Sequence, residues 1–279
     1  MTPPSSDPTV SIVVVAHSVV EELKECLGSI ECYADLPTET ILVDNASTDE
    51  TVEWVREAYP SVKLVELPEN VGISARWKGM PLATGRYTMF LDSDAKLTPG
   101  ALRGMVAALD ENPGWGLLGP KLVYDDGTLQ LSCRRFPPVL LPLMRRPPLS
   151  AILGDSRAVN HHLMTDIDHE KTRPVLYVLG ACQIFRTALG RRVEPLDRYF
   201  FGPDDIEWCI RIRDVGGEIV YYPSTTVIHS YRRTSSRKPI SRVALRHIRD
   251  FAAFQWRYRG RRRELIRLGE ELDRRASAR

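Results

Sequence analysis

The chain has 279 residues, 43% of them hydrophobic and 27% charged, with a formal net charge of +2, which fits an ordinary folded protein and excludes a disordered polyelectrolyte. Five cysteines, an odd number with no CxxC pair, exclude a disulfide framework and a zinc site and point to a reducing compartment. No apolar run approaches the ~18 residues of a spanning helix, and the polar start Met1-Thr-Pro-Pro-Ser-Ser-Asp-Pro8 lacks a signal-peptide profile, so a cytoplasmic location is expected.

Val10-Ser-Ile-Val-Val-Val-Ala16 is a continuous run rich in β-branched residues, the mark of a strand covered on both faces. Glu21 to Tyr33 carries Leu23, Cys26, Leu27 and Ile30 at helical spacing. A second strand, Thr40–Val43, runs into Asp44-Asn-Ala-Ser-Thr-Asp49, and Glu50 to Ala58 predicts a helix capped by Thr48 or Asp49. A third strand, Val62–Leu67, leads to Pro68-Glu-Asn-Val-Gly-Ile73. Ser74 to Ala83 predicts another helix, closed at Thr84-Gly85. Tyr87-Thr-Met-Phe-Leu91 then reads as a strand that stops at Asp92-Ser93-Asp94. This alternation predicts an α/β fold with a mostly parallel central sheet flanked by helices.

Ligands of such sheets gather at strand carboxyl ends, and a nucleotide suits that place. Neither GxGxxG nor GxxxxGK[ST] follows a strand, so dinucleotide and P-loop chemistry lose ground. The strand ends are acidic instead, with Asp44, Asp92 and Asp94. One carboxylate can hold a ribose hydroxyl or a base N–H. Two that alternate with a serine can share a divalent cation through oxygen ligands. A strand followed by an ordinary polar turn is the competing reading.

Pro99 to Leu109 predicts a helix, Gly116 to Tyr124 a strand, and Asp125-Asp126-Gly127 a turn rather than a catalytic pair. From Cys133 to Arg173 the pattern fails among prolines, apolar residues and arginine pairs. That loop reads either as an acceptor cover resting on a membrane surface or as a mobile insertion. His161, His162 and His169 lack ligand spacing. Val175–Leu179 is strand-like and ends in Gly180-Ala181-Cys182, where glycine permits close approach of a substrate. Asp204 and Asp205 open a helical stretch through Asp214, where free N–H groups stabilise carboxylates. N-capping explains one of them better than two. Glu207 and Arg211, four apart, are expected to pair. A turn and strand from Gly216 lead through Pro223–Ile228 to His229, and a basic loop runs from Ser230 to Lys238.

Ile240, Val243, Ala244, Ile248, Phe251 and Phe254 then trace one helical face, and Trp256 and Tyr258 precede Arg259-Gly-Arg-Arg-Arg263. A basic amphipathic helix of this kind reads as an element on anionic lipid, through residues 239–263. Docking on the catalytic part or on a dimer partner is the alternative. Nucleic acid is not expected, because no RNA-binding motif accompanies the arginines.

Ser11-Ile-Val-Val-Val15, Leu42-Val-Asp-Asn-Ala-Ser-Thr-Asp49, Asn70-Val-Gly72 and Phe90-Leu-Asp-Ser-Asp94 occur in that order. The set resembles the inverting family 2 glycosyltransferases, whose nucleotide-diphospho-sugar domain has the GT-A fold, over residues 9 to 238. The resemblance implies a catalytic domain over 1–238, with a nucleotide-sugar half at 9–98 and an acceptor half at 99–238, followed by a helical tail at 239–279. It implies that Asp44, with Asn45, meets the donor's base or ribose, with Ala16 and His17 beside the base. It implies that Asp92-Ser93-Asp94 is a DxD motif binding Mg²⁺ or Mn²⁺ and the donor diphosphate, with His229 as third metal ligand. Arg76 would add a phosphate or base contact, against the alternative of a solvated helix face.

The family's second motif, FFxYxEDxDLxxR, resembles Phe200-Phe201-Gly-Pro-Asp204-Asp205-Ile-Glu207-Trp-Cys-Ile-Arg211. Asp205 then takes the place of the catalytic base, Asp204 replaces the usual Glu, Glu207 the usual Asp, and Pro203 the usual Tyr. Arg233 and Arg237 fall in a loop that would close over the donor, and Gly180, Ala181 and Trp208 on the acceptor side. The similarity to bacterial rhamnosyltransferases suggests dTDP-rhamnose or a UDP-sugar as donor, and a glycan or polyprenyl-linked glycan of the cell envelope as acceptor. A homo-oligomer is left open. Two other classes compete: a haloacid-dehalogenase-like phosphohydrolase, which normally carries its DxD on the first strand, and a non-catalytic nucleotide-sugar-binding protein, which would tolerate loss of Asp205.

Overall fold

The computed structural model describes residues 8–196, 198–230 and 242–278. Its first half is β1 (Val10–Ala16), α1 (Val20–Tyr33), β2 (Thr38–Asp44), α2 (Thr51–Ala58), β3 (Lys63–Glu66), α3 (Arg76–Gly79) and β4 (Tyr87–Asp92). β1 pairs in parallel with β2 and β4, and β2 with β3. Both faces of β1 are buried, Val10, Ile12 and Val14 among the α1 side chains Leu23, Cys26 and Leu27, and Val13 in a second cluster with Ile41, Val43 and Trp77. Coverage on both sides is why the run is apolar without alternation. α2 starts one residue later than expected, with Glu50 at its N-cap, and Asp49 just before it accepts the Thr51 N–H at 3.2 Å.

The helix expected over Ser74–Ala83 is instead one α turn between 3₁₀ turns at Gly72–Ala75 and Met80–Leu82. Pro81 lacks the N–H that a longer helix needs there. Gly79 sits so close to the sheet that a Cβ would lie 2.7 Å from Val13 Cγ1.

The second half comprises β5 (Ala95–Leu97), α4 (Ala101–Glu111), β6 (Trp115–Val123), β7 (Leu129–Gln130), β8 (Cys133–Arg134), α5 (Leu141–Met144), α6 (Ser150–Leu153), α7 (Arg157–Leu163), β9 (Arg173–Pro174), β10 (Tyr177–Val178), β11 (Cys182–Arg186), α8 (Thr187–Gly190), α9 (Asp204–Asp214), β12 (Glu218–His229), α10 (Arg242–Arg257) and α11 (Arg262–Ser277). The main sheet runs β3-β2-β1-β4-β11-β6-β12-β5. β11 lies antiparallel between β4 and β6, while β6 and β12 are parallel to each other. β11 therefore joins the two halves into one sheet. Val175–Leu179 looked more strand-like, yet only Tyr177–Val178 pairs there, and with β8 rather than the main sheet. The 133–173 loop also holds three short helices rather than a wholly irregular path.

The tail departs from expectation. Ala244, Phe251, Phe254 and Tyr258 of its apolar face are buried, and Phe254 and Tyr258 share a core cluster with Trp208 and Phe185. Asp273 of α11 accepts from Arg135 at 2.6 Å and Arg173 at 3.0 Å. The face expected to enter a bilayer is thus spent on the protein, because a dry core satisfies the same amphipathic pattern that lipid would. No helix among the described residues is long and apolar enough to cross a membrane.

Candidate active site

β1 and β2 end side by side, with Ala16 opposite Asp44. Asp44 is buried. Its Oδ2 accepts the Ser47 N–H at 3.1 Å, and its Oδ1 is buried without a partner. A buried carboxylate oxygen left unbonded is costly, and a donor group from a ligand would relieve it. The loops beyond both strands are tied together: Ser47 Oγ accepts the Ser18 N–H at 2.9 Å, and Ser18 Oγ the Thr48 N–H at 3.0 Å. His17 is exposed at the rim, and Ala16 is buried. Asn45 is also buried, with its amide committed to Asn70, the Gly72 carbonyl and the Val71 N–H at 2.9–3.0 Å. It braces the Asn70–Gly72 loop. Gly72 has a left-handed φ of +68°, and a Cβ there would strike the Phe200 carbonyl at 2.1 Å.

Asp92 ends β4, Asp94 follows two residues later, and the antiparallel pairing of β5 with β12 sets His229 opposite Ala95. One ligand atom from each of Asp92, Asp94 and His229 lies within 4.8 Å of the others. His229 Nε2 is 3.3 Å from Asp94 Oδ1, and on the far side of the ring Nδ1 donates to Gln130 Oε1 at 2.7 Å. That bond orients the imidazole with Nε2 toward the carboxylates, the arrangement found behind metal-bound histidines. Burial depresses the His229 pKa, but bonding to Asp94 and the charges of Asp94 and Asp92 outweigh it and raise the pKa. Burial raises Asp92, Arg76 draws it down, Asp94 pushes it up, and the net is upward. Carboxylate oxygens with one imidazole are a fitting donor set for Mg²⁺ or Mn²⁺, which would relieve this crowding of charge. Ser93 lies between them, half-buried.

Asp204 and Asp205 open α9. Asp204 is buried, its Oδ2 3.3 Å from Arg76 Nη1, while Arg76 Nη2 reaches Asp92 Oδ1 at 3.4 Å. The Arg76 side chain is 5% exposed and lies over the Phe90 ring, so it is no solvated helix residue. Asp205 is half-buried and accepts the Ile206 N–H at 2.8 Å. Burial, then the Asp204 charge beside it, push its pKa up to about 7. A carboxyl with that pKa can exchange a proton near neutrality. Glu207 is wholly buried and pairs with Arg211 at 2.5 Å, as its spacing predicts.

Three residues expected to meet the acceptor are placed otherwise. Trp208 is 1% exposed and packs edge-on against Trp77 and Phe185 with centroids 4.7 and 5.0 Å apart, so it cannot touch an acceptor. Ala181 is buried, its carbonyl accepting the Asp92 N–H at 2.9 Å. Gly180 makes room for Arg76, whose Nη1 would sit 3.0 Å from a Cβ. Trp208 and Ala181 are thus part of the packed interior, while Gly180 stays half-buried beside Arg76. Arg233 and Arg237 lie outside the described residues.

Two residues at the site had no sequence signal. Gln130 reaches His229 only because β7 folds back on β6. Asp250 of α10, buried at 2% exposure, accepts the N–H groups of Phe200 at 2.8 Å and Phe201 at 3.1 Å and so holds the loop that leads into Asp204.

A nucleotide-type α/β sheet, an Asp-Asp-His trio at its strand ends and two carboxylates at the start of a nearby helix match the class of GT-A glycosyltransferases. The chain belongs to glycosyl transferase family 2, whose family model matches residues 11–192. It is similar to the N-acetylglucosaminyl-diphospho-decaprenol L-rhamnosyltransferase of Mycobacterium tuberculosis (strain ATCC 25618 / H37Rv), 26% identical over 85% of this chain and 80% of that protein. The putative teichuronic acid biosynthesis glycosyltransferase TuaG of Bacillus subtilis (strain 168) is 29% identical over 43% of this chain and 50% of its own. Among solved structures, S. aureus TarS 1-349 superposes with a TM-score of 0.57 at 19% identity, over 80% of this chain and 60% of that one. GalNAc-T7 with UDP, GalNAc and Mn²⁺ superposes at 0.64 and 16% identity, over 90% of this chain and 49% of that one. The chain thus spans about half to three-fifths of these solved structures, and the likeness shows the fold. Family membership sets the phosphohydrolase reading aside, as does the DxD on β4 rather than the first strand.

Proposed function

We propose that this glycosyltransferase uses a divalent cation to move a sugar, with inversion, from a nucleotide-diphosphate donor to an acceptor hydroxyl. The observation that carries the reading is Arg76, which ties Asp92 of the metal trio to Asp204 beside Asp205. It supports a reading in which a cation and a base act side by side.

In this reading Asp44 receives a donor hydroxyl or base N–H on its unpartnered Oδ1, with Ala16 and His17 at the edge of the base pocket. Asp92, Asp94 and His229 hold Mg²⁺ or Mn²⁺, with Gln130 fixing the imidazole. When bound, the cation offsets negative charge on the donor diphosphate. Asp205 takes the proton of the acceptor hydroxyl as its oxygen attacks the anomeric carbon on the face opposite the leaving nucleotide. Asp204, paired with Arg76, positions α9 and raises the basicity of Asp205 rather than acting as base itself. Asn45 holds the Asn70–Gly72 loop against the 199–200 segment.

The mycobacterial relative supports an L-rhamnosyl donor such as dTDP-rhamnose and a polyprenyl-diphosphate-linked glycan acceptor of the cell envelope. The test is a thermal-shift screen of nucleoside diphosphates and nucleotide sugars with and without Mn²⁺. Metal-dependent stabilisation by one nucleotide is expected. A flat response to all of them would sink the donor site.

A further inference from the structure

The tail buries its apolar face, yet an apolar surface remains exposed elsewhere. Val139, Leu140, Leu143, Leu149 and Ile152 all lie exposed within α5, α6 and their flanks, Ile152 at 80% and Leu140 at 59%. The other large exposed apolar residues, such as Tyr33, Leu82 and Trp256, are scattered along the described chain. Scattered ones need no explanation, whereas a contiguous patch on a soluble fold marks a contact surface.

The inner side of this segment is firmly seated. Leu141 packs with Val159 and Phe251 of α10, and Arg146 Nη2 lies 2.9 Å from His247 Nδ1. Between the two helical turns stand Pro147 and Pro148, both exposed, which have no backbone N–H to keep hydrated. The charge around the patch is net positive. Residues 139–157 contain Arg145, Arg146 and Arg157 against Asp155 alone. Arg246 and Arg249 are exposed on the adjoining α10, while its acidic Asp250 is buried.

We propose that the 139–152 segment is a membrane-docking surface, seating Leu149, Ile152 and their apolar neighbours in the interface of an anionic bilayer with Arg145 and Arg157 at headgroup level. Apolar side chains that enter the interface and cations that meet anionic lipid reinforce each other. A protein partner would need an acidic surface of its own to match the net positive charge. Docking here would suit an acceptor carried in the membrane, a use that rests on the proposed function. The docking does not.

The test is co-sedimentation of the full chain, without donor or metal, with vesicles of phosphatidylcholine alone or mixed with phosphatidylglycerol. Binding is expected only with phosphatidylglycerol, to weaken with added salt, and to fall about tenfold or more in Leu149→Glu/Ile152→Glu and in Arg145→Glu. These residues are exposed, so the variants should melt as the parent does. Trp256→Ser, on the exposed side of the tail, should bind as the parent does. The proposal is overturned if the parent binds neither vesicle, if the double variant binds vesicles normally, or if Trp256→Ser alone loses binding; a double variant that turns a dimer into a monomer would assign the patch to a second copy instead. Transfer to a water-soluble acceptor is read separately. An active enzyme that ignores vesicles defeats the docking, and a docking protein without transferase activity defeats the function.

Discussion

Arg76 Nη1 lies 3.3 Å from Asp204 Oδ2, and this ion pair, 5% and 8% exposed, is where the first half of the molecule meets α9, the helix proposed to carry the base. The same guanidinium reaches Asp92 at 3.4 Å. Removing it would strand two carboxylates around one vacated position. Arg76→Ala is expected to destabilise the fold by about 3–5 kcal/mol, the usual cost of breaking a buried pair from one side. Arg76→Lys, with a single ammonium, cannot bridge both carboxylates and should lose activity while keeping more of the stability. Thermal melts and kcat measured side by side separate these effects.

Asp205 sets a pH expectation. A base must be ionised to act, and its pKa is pushed up to about 7 by burial and Asp204. Below that value kcat should fall about tenfold per pH unit, and above it reach a plateau. Asp204→Asn removes the like charge and should move the acid limb to lower pH. Asp205→Asn should abolish the limb and cost about 10²–10⁴-fold in kcat while leaving nucleotide binding intact. Parent-like turnover in that variant would refute the assignment. The sign for stability is opposite to that of a salt-bridged carboxylate. The folded state holds this proton over a range where the unfolded chain has released it, so the group's contribution declines as pH rises from the ordinary 3.8 toward about 7.

The bond from His229 to Gln130 predicts a metal effect without contact to the metal. Gln130→Ala should weaken Mn²⁺ binding about 10–100-fold, as losses behind a ligating histidine do. His229→Ala should weaken it further. Calorimetric titration with Mn²⁺ reads both, and a chelator should abolish transfer by the parent enzyme. Equal Mn²⁺ affinity in parent and Gln130→Ala would refute the orienting role.

Asp44 makes a prediction about the donor. Its Oδ1 is buried without a partner, so a nucleotide group that bonds it gains what solvent cannot supply. Asp44→Ala should raise the donor KM by about ten- to a hundredfold, corresponding to ~1–3 kcal/mol, with a smaller change in kcat. A change confined to kcat would place Asp44 elsewhere in the reaction.

Asp250 links the tail to the chemistry. Asp250→Ala leaves the Phe200 and Phe201 N–H groups without their acceptor, at a cost of about 1–3 kcal/mol. Because those residues lead into Asp204, kcat should drop while the donor KM holds. Asp250→Asn keeps one acceptor oxygen and should recover part of the loss. A fall in melting temperature with kcat unchanged would confine Asp250 to stability.

What the sequence determined by itself is local and patterned. Buried β-branched runs marked β1 and β2, and an apolar run broken by Asp92 marked the end of β4, because a strand covered on both faces must be apolar and a ligand edge must not. Carboxylates at those ends and at the start of α9 were legible for the same reason. Long-range pairing was not. β11 was not anticipated beside Val175–Leu179, yet it joins the sheet because β4 and β6 offer it backbone partners on both sides. Trp208 sits four residues after Asp204 and looked like part of the site, but packing among Trp77, Phe90 and Phe185 draws it inward. The tail's amphipathic face was evident, while what covers it was not, since lipid and protein core satisfy one pattern equally. Gln130 behind His229, Arg76 between Asp92 and Asp204, and Asp250 beneath Phe200 are decided by tertiary structure alone. Each is an isolated polar residue whose partner lies far along the chain, and only the closed sheet brings the two within bonding distance.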